Sequence, residues 1–141
     1  MADVAKTGGC LCGAVRYEIK GALRDSIACH CVQCRKSSGH YVSATAVRLT
    51  DFEILDDRGL KWYKSSSYAR RGFCGECGSS LFWDMEGREL MGIMSGTLDG
   101  VSGIKTSTHI YVGDKGDYYE LTDDLPKYDG SGNRRTPKIT Q

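Results

Sequence analysis

Two cysteine pairs far apart in the chain constrain its fold more than any other feature. Cys10-Leu11-Cys12-Gly13 lies near the N-terminus, and Cys74-Gly75-Glu76-Cys77-Gly78 lies past the middle. A Cys-x-Cys and a Cys-x-x-Cys together supply four sulfurs, the ligand count of a closed, tetrahedral structural zinc site. If one ion takes all four, the first strand and the loop after residue 73 must meet in space. Each second cysteine is followed by glycine, Gly13 and Gly78. Glycine lets the chain turn tightly there and brings backbone N–H groups toward thiolate sulfur.

The other three of the seven cysteines fall within Cys29-His30-Cys31-Val32-Gln33-Cys34-Arg35-Lys36. In extended chain Cys29 and Cys31 share a face and His30 points away. A turn through Val32 and Gln33 brings Cys34 back to them. Three soft ligands on one centre suggest zinc with its fourth position left for a substrate atom. Other readings compete. An odd number of cysteines, tight spacings and no visible secretory signal argue against disulfides. A thioredoxin-like pair at Cys31 and Cys34, or at Cys74 and Cys77, needs a βαβ context that this chain lacks. A purely structural role for both clusters, with His30 or His40 completing the trio, stays open on the sequence alone.

A chain of 141 residues is one domain by length and can bury a real core. Charged residues make up 26% and the formal net charge is +1, so there is no bulk attraction to nucleic acid or an anionic membrane. No stretch approaches the length of a transmembrane helix. Met1-Ala2-Asp3-Val4-Ala5-Lys6 has an early acid and no apolar run, unlike a signal peptide. The expected setting is the reducing cytoplasm, where thiolates bind metal rather than pair.

Eighteen glycines and two prolines point to many turns and few long helices. Residues 1–9 read as a loose arm. Residues 14–20 alternate, with Val15, Tyr17 and Ile19 on one face. Further strands are expected over 26–28, 41–48, 52–55, 80–84, 90–95 and 108–112. A hairpin is expected from 60–64 and 68–73, and a single helical turn over 33–37. Trp62, Tyr63, Phe82 and Trp83 read as core, and Arg70-Arg71 as a solvated strand edge. The pattern is an all-β, mainly antiparallel domain over residues 8–128, with a flexible tail over 129–141.

The chain resembles the glutathione-dependent formaldehyde-activating family, which includes the centromere protein V group. The resemblance rests on Gly8-Gly9-Cys10-Leu11-Cys12-Gly13-Ala14-Val15, on the segment from Cys29 to Lys36, and on Phe73-Cys74-Gly75-Glu76-Cys77-Gly78. Ser95-Gly96-Thr97-Leu98-Asp99, His109-Ile110-Tyr111-Val112 and Leu125-Pro126-Lys127-Tyr128 extend it. It implies a β-tent, antiparallel sheets pinned at the tip by zinc. It implies structural zinc ligands at Cys10, Cys12, Cys74 and Cys77, and catalytic zinc ligands at Cys29, Cys31 and Cys34. The occupancy of that second site is left open. The implied reaction, that of a carbon–sulfur lyase, joins glutathione and formaldehyde as S-hydroxymethylglutathione.

On physical grounds a thiol arriving at a thiolate-rich zinc would ionise and become both ligand and nucleophile. Arg35 and Lys36 can meet the carboxylates of glutathione, or simply solvate their loop. His30 and His109 can shuttle a proton, although a satisfied structural role is favoured for each. The expected partners are therefore a small thiol and a small aldehyde, with no nucleic acid and no membrane. An exposed strand edge leaves room to pair two copies. A zinc-stabilised binding module without catalysis, and an enzyme using another small thiol or aldehyde, are the competing functions.

Overall fold

Alternation of apolar and polar residues is what a strand with one buried face requires, and Val15, Tyr17 and Ile19 are all fully buried. The computed structural model describes residues 5–131. The alternating stretch forms β2 (Arg16–Ile19), the centre of a three-stranded antiparallel sheet between β1 (Lys6–Gly9) and β5 (Phe52–Asp56). The loose arm expected at the N-terminus is thus corrected from residue 6 onward. Gly8 pairs with Tyr17, and a Cβ on it would sit 2.3 Å from the Tyr17 hydroxyl. Glycines that read as loosening instead permit close approach of backbone to a ring.

A larger sheet runs in the order β10 (Thr106–Ile110), β3 (Ser26–Cys29), β4 (Val42–Arg48), β9 (Leu90–Met94), β8 (Ser80–Met85), β7 (Ala69–Cys74), β6 (Leu60–Lys64). Its pairs are antiparallel except β10 with β3, which is parallel. The domain is therefore all-β and mainly antiparallel. The helical turn expected over 33–37 is a seven-residue helix, α1 (Val32–Ser38). The hairpin of β6 and β7 forms as expected.

The core joins β2 to one face of the larger sheet. Tyr17, Ile19, Val47, Leu81, Phe82, Met91 and Ile93 belong to one buried cluster. Burying each of the larger side chains contributes roughly 1.5–3 kcal/mol. Period-two alternation sends their neighbours Trp83, Gly92 and Met94 to the opposite face, where they line a cavity. Trp83 packs there against a second buried cluster of Cys34, Val42 and Met94, whereas Tyr63 is 65% exposed. Arg70-Arg71 is also corrected. The strand β7 lies between β6 and β8, so it is no edge, and its two arginines point to opposite faces. Arg70 lies 3.8 Å over the Trp62 ring and pairs with Asp84 at 2.9 Å. Arg71 enters the cavity.

The Ser95 to Asp99 segment fastens the two sheets. Thr97 Oγ1 lies 2.7 Å from the Tyr17 hydroxyl, and Asp99 accepts from Thr7 and pairs with Arg16. Asp129 and Gly130 accept backbone hydrogen bonds from Gly113 and Tyr111. The remainder of the expected tail, residues 132–141, lies outside the described residues.

Candidate metal centres and an adjoining cavity

The first cysteine set lies where the turn between β1 and β2 meets the turn between β7 and β8. The sulfurs of Cys10, Cys12, Cys74 and Cys77 all lie within 4.8 Å of one another. Cys10 to Cys12 is 3.7 Å and Cys12 to Cys74 is 3.8 Å. A tetrahedron with Zn–S of about 2.3 Å has edges of about 3.8 Å, so the donor set fits that ion. Gly13 and Gly78 take φ of +88° and +84°, the left-handed turns expected of glycine after each pair. Backbone N–H groups do turn onto sulfur. Val15 donates to Cys10 at 3.2 Å and Glu76 to Cys74 at 3.4 Å. Hydrogen bonds from the Ser79 hydroxyl and backbone pull the Cys77 thiol down to about 5. Gly59 leaves the space beside the buried Cys74, since a Cβ there would lie 2.9 Å from its sulfur.

Cys29, Cys31 and Cys34 form a second set with all sulfurs within 4.8 Å. Cys29 ends β3, and Cys31 is the N-cap of α1, with an extended backbone and a sulfur that accepts from Cys34 N at 3.4 Å. Gly39 closes the helix in the left-handed region. This short capped helix returns Cys34 to the other two. Hydrogen bonds from Cys29 and then Cys34 hold Cys31 far down as the thiolate, and contacts with Cys31 and Cys34 push Cys29 up. Three sulfurs this close ionise together only around a cation. Among the described residues no histidine or carboxylate joins the trio. The alternative in which His30 or His40 completes it is thereby removed. The His30 ring points away, fully buried, with both nitrogens engaged by Tyr119 and His109.

The trio borders a cavity of about 630 Å³, within the size range of small-molecule sites. Its walls are the apolar face of the larger sheet, including Val42, Trp83 and Met94, and its charged lining is Arg24, Arg71, Arg88 and Asp114. Arg71 Nη2 donates to Cys34 Sγ at 3.7 Å and to Gln33 Oε1 at 3.3 Å. Arg35 and Lys36 do not line this space. They sit on α1, Lys36 exposed and Arg35 half-buried with its Nε lacking a hydrogen-bond partner among the described residues. Neither His30 nor His109 lines it. Of the lining residues to which the sequence reading gave no site role, Arg71 and Trp83 were announced by alternation in β7 and β8, which places Arg71 opposite Trp83, whereas Arg88 lies in the turn before β9 and had no such signal. Tyr111, also on the lining, has φ of +55°. This uncommon backbone state is held by bonds from Tyr111 N to Gly130 O and Val112 N to Tyr128 O.

Residues 5–114 match the family described as glutathione-dependent formaldehyde-activating enzyme. An uncharacterised lyase of Schizosaccharomyces pombe is 26% identical over 116 residues, covering 81% of this chain and 83% of that protein. A crystal structure of a Rhodobacter sphaeroides protein superimposes with a TM-score of 0.57 at 29% identity, covering 67% of this chain and 89% of that one.

Proposed function

This chain belongs to the glutathione-dependent formaldehyde-activating enzyme family, and from that premise we propose that it is a zinc-dependent enzyme of carbon–sulfur lyase type. Its proposed reaction joins the glutathione thiol to formaldehyde as S-hydroxymethylglutathione, and in reverse releases them. The observation that carries the reading is a three-sulfur cluster, without a fourth protein donor among the described residues, bordering a cavity of small-molecule size. The lyase name of the fission-yeast relative agrees with this class of reaction.

Cys10, Cys12, Cys74 and Cys77 would hold a structural zinc, and Cys29, Cys31 and Cys34 a second one. When bound at the trio, that ion would lower the pKa of an incoming thiol and make it a thiolate at neutral pH. The protein's own groups do the rest. Arg71, beside Cys34, offsets negative charge accumulating on the sulfurs. The apolar wall of Val42, Trp83 and Met94 excludes water and holds the small aldehyde beside sulfur, which raises its effective concentration. The new bond runs from sulfur to the formaldehyde carbon. The carbonyl π pair moves to oxygen, which ends with the proton the thiol gave up. Arg35 and Lys36 lie outside the lining, so any contact they make with the carboxylates of glutathione would be with a part of the peptide outside the cavity.

The addition also proceeds without protein, so product alone is uninformative. The test compares initial rates with wild type, Cys31→Ser and no protein, over a range of glutathione and formaldehyde. A saturable rate above background in wild type that falls to background in Cys31→Ser is expected. Equal rates in all three would leave the binding-module reading standing.

A further inference from the structure

Three arginines outside the cavity pair with acids of this chain. Arg16 pairs with Asp99, Arg58 with Asp56 and Arg70 with Asp84. Arg71 and Arg88 line the cavity and, among the described residues, neither has a carboxylate within ion-pair distance. Arg24 differs from them, because its guanidinium is directed to the carbonyls of Asp25 and Ala44. Arg71 donates to Gln33 and to Cys34 Sγ, which leaves Arg88 as the lining cation set only against a ring. Arg71 is opposite Trp83 in the β7–β8 register, and the Arg88 guanidinium carbon lies 5.4 Å from the Trp83 ring centroid. Burial pushes the Arg88 guanidinium below its ordinary value, the cost of withdrawing an uncompensated charge from water. A cation kept half-buried without an internal acid is stabilised when a ligand supplies the anion.

We propose that Arg88, beside Trp83 on the wall of the cavity that the trio borders, is the specificity residue of that cavity, and that it selects thiols bearing a carboxylate. This rests on the thiol-binding reading above and narrows it. A thiol seated at Cys29, Cys31 and Cys34 would have Arg71 close to its sulfur and Arg88 farther along the wall. Carboxylate at Arg88 would gain the bidentate geometry that a guanidinium offers. Neutral thiols of the same size would leave Arg88 without an anion and bind weakly for that reason.

The test uses calorimetry with S-methylglutathione, whose thiol is blocked and whose carboxylates are intact, and with its diethyl ester. The protein is the full zinc-loaded chain as wild type, Arg88→Gln, Arg71→Gln and, as an exposed control, Arg70→Gln, each checked by circular dichroism melting. Wild type and Arg70→Gln are expected to bind the acid roughly ten- to a hundredfold more tightly than the ester. In Arg88→Gln that preference is expected to collapse, with ester binding unchanged. The acid–ester comparison in wild type needs no variant, so a misfolded mutant does not rescue the idea. Equal affinity for acid and ester in wild type, no binding of the acid at all, or an Arg88→Gln protein that keeps the full preference would overturn it. Carboxylate-dependent binding without turnover of glutathione and formaldehyde would instead remove the proposed reaction and leave this selection in place.

Discussion

The imidazoles of His30 and His109 are hydrogen-bonded ring to ring, Nε2 to Nδ1, at 2.9 Å. The groups at the two ends of this pair suit one direction of hydrogen bonding. Asp123 Oδ2 lies 2.9 Å from His109 Nε2, so that nitrogen carries the proton. With a single proton on that ring, His109 Nδ1 accepts from His30 Nε2–H. His30 Nδ1 in turn accepts from the Tyr119 hydroxyl at 2.5 Å. One proton per ring satisfies every nitrogen. Burial, followed by the neighbouring His109, pulls the His30 pKa down to about 4. Hydrogen bonds from His109 and then Lys127 hold the Asp123 carboxyl well below its usual range. The chain stitches β10 and the segment after it to the loop carrying the trio, since His109 stands beside Ala28 and Ile110 beside Cys29.

Breaking this chain in its middle should cost more than breaking it at its exposed end. His109→Phe leaves the buried His30 Nε2–H without an acceptor, a loss of about 1–3 kcal/mol. Asp123→Ala exposes His109 to water and should cost less. Urea denaturation of both variants checks the order, and a His109→Phe protein as stable as wild type would contradict the assignment of donors.

Tyr17 gives an alkaline limit. Burial pushes its phenol up to about 12, against the smaller opposing effect of its bond to Thr97. Thr97 Oγ1 donates to Met94 O, so the phenol must donate to Thr97 and must stay protonated. The unfolded phenol ionises near pH 10 and the folded one about two units higher. Between those values the unfolded state has lost its proton and the folded state has not. The stabilisation is therefore complete below pH 10 and declines as pH rises toward 12. Tyr17→Phe should lose about 1 kcal/mol at neutral pH and show a shallower decline above pH 10. Parallel urea curves for both proteins across that range would show that Tyr17 is not the group responsible.

The four-sulfur site should be inseparable from the fold. Cys74 is fully buried, touches both Gly59 and the other sulfurs, and ends the strand β7. Cys74→Ser removes a ligand where β1 and β2 are tied to the larger sheet, and free energy of metal binding is folding free energy in such a site. Insoluble or unfolded protein is expected, read by circular dichroism and by metal content. A soluble variant with wild-type melting temperature and metal content would show that the cluster pins nothing.

Patterns that carry their own physics were legible in the sequence. The alternation of Val15, Tyr17 and Ile19 gave a strand, and the spacing of the seven cysteines gave two clusters that the fold does assemble. Gly8 and Gly9 misled because glycine marks both slack chain and close packing, and only the position of Tyr17 tells which. Arg35 and Lys36 are near the trio in sequence and do not line the cavity, while Arg71, far from it in sequence, is near it in space. Which strands are neighbours decides that, and β7 reaches the trio only through the strand order. The His30–His109–Asp123 chain was invisible for the same reason, as it joins three segments with no local signature.

Cys31 offers a clean separation of the two cysteine clusters as candidate metal sites. It is the N-cap of α1, and its sulfur accepts from the Cys34 backbone. Serine is among the preferred N-cap residues, so Cys31→Ser replaces a sulfur acceptor by a better oxygen one and keeps the helix. It also replaces a thiolate, the ligand a soft metal prefers, by a hydroxyl that does not ionise at neutral pH. The trio then has two sulfurs and should lose its ion, while the four-sulfur site, built from different loops, keeps its own. Metal analysis should fall from two zinc ions per chain to one. Stability at fixed pH should change by no more than about 0.5 kcal/mol apart from the lost ion's own linkage. A matched measurement in wild type partly stripped by a mild chelator isolates that linkage. A Cys31→Ser protein that loses both ions, or that unfolds, would mean the trio supports the fold rather than the cavity.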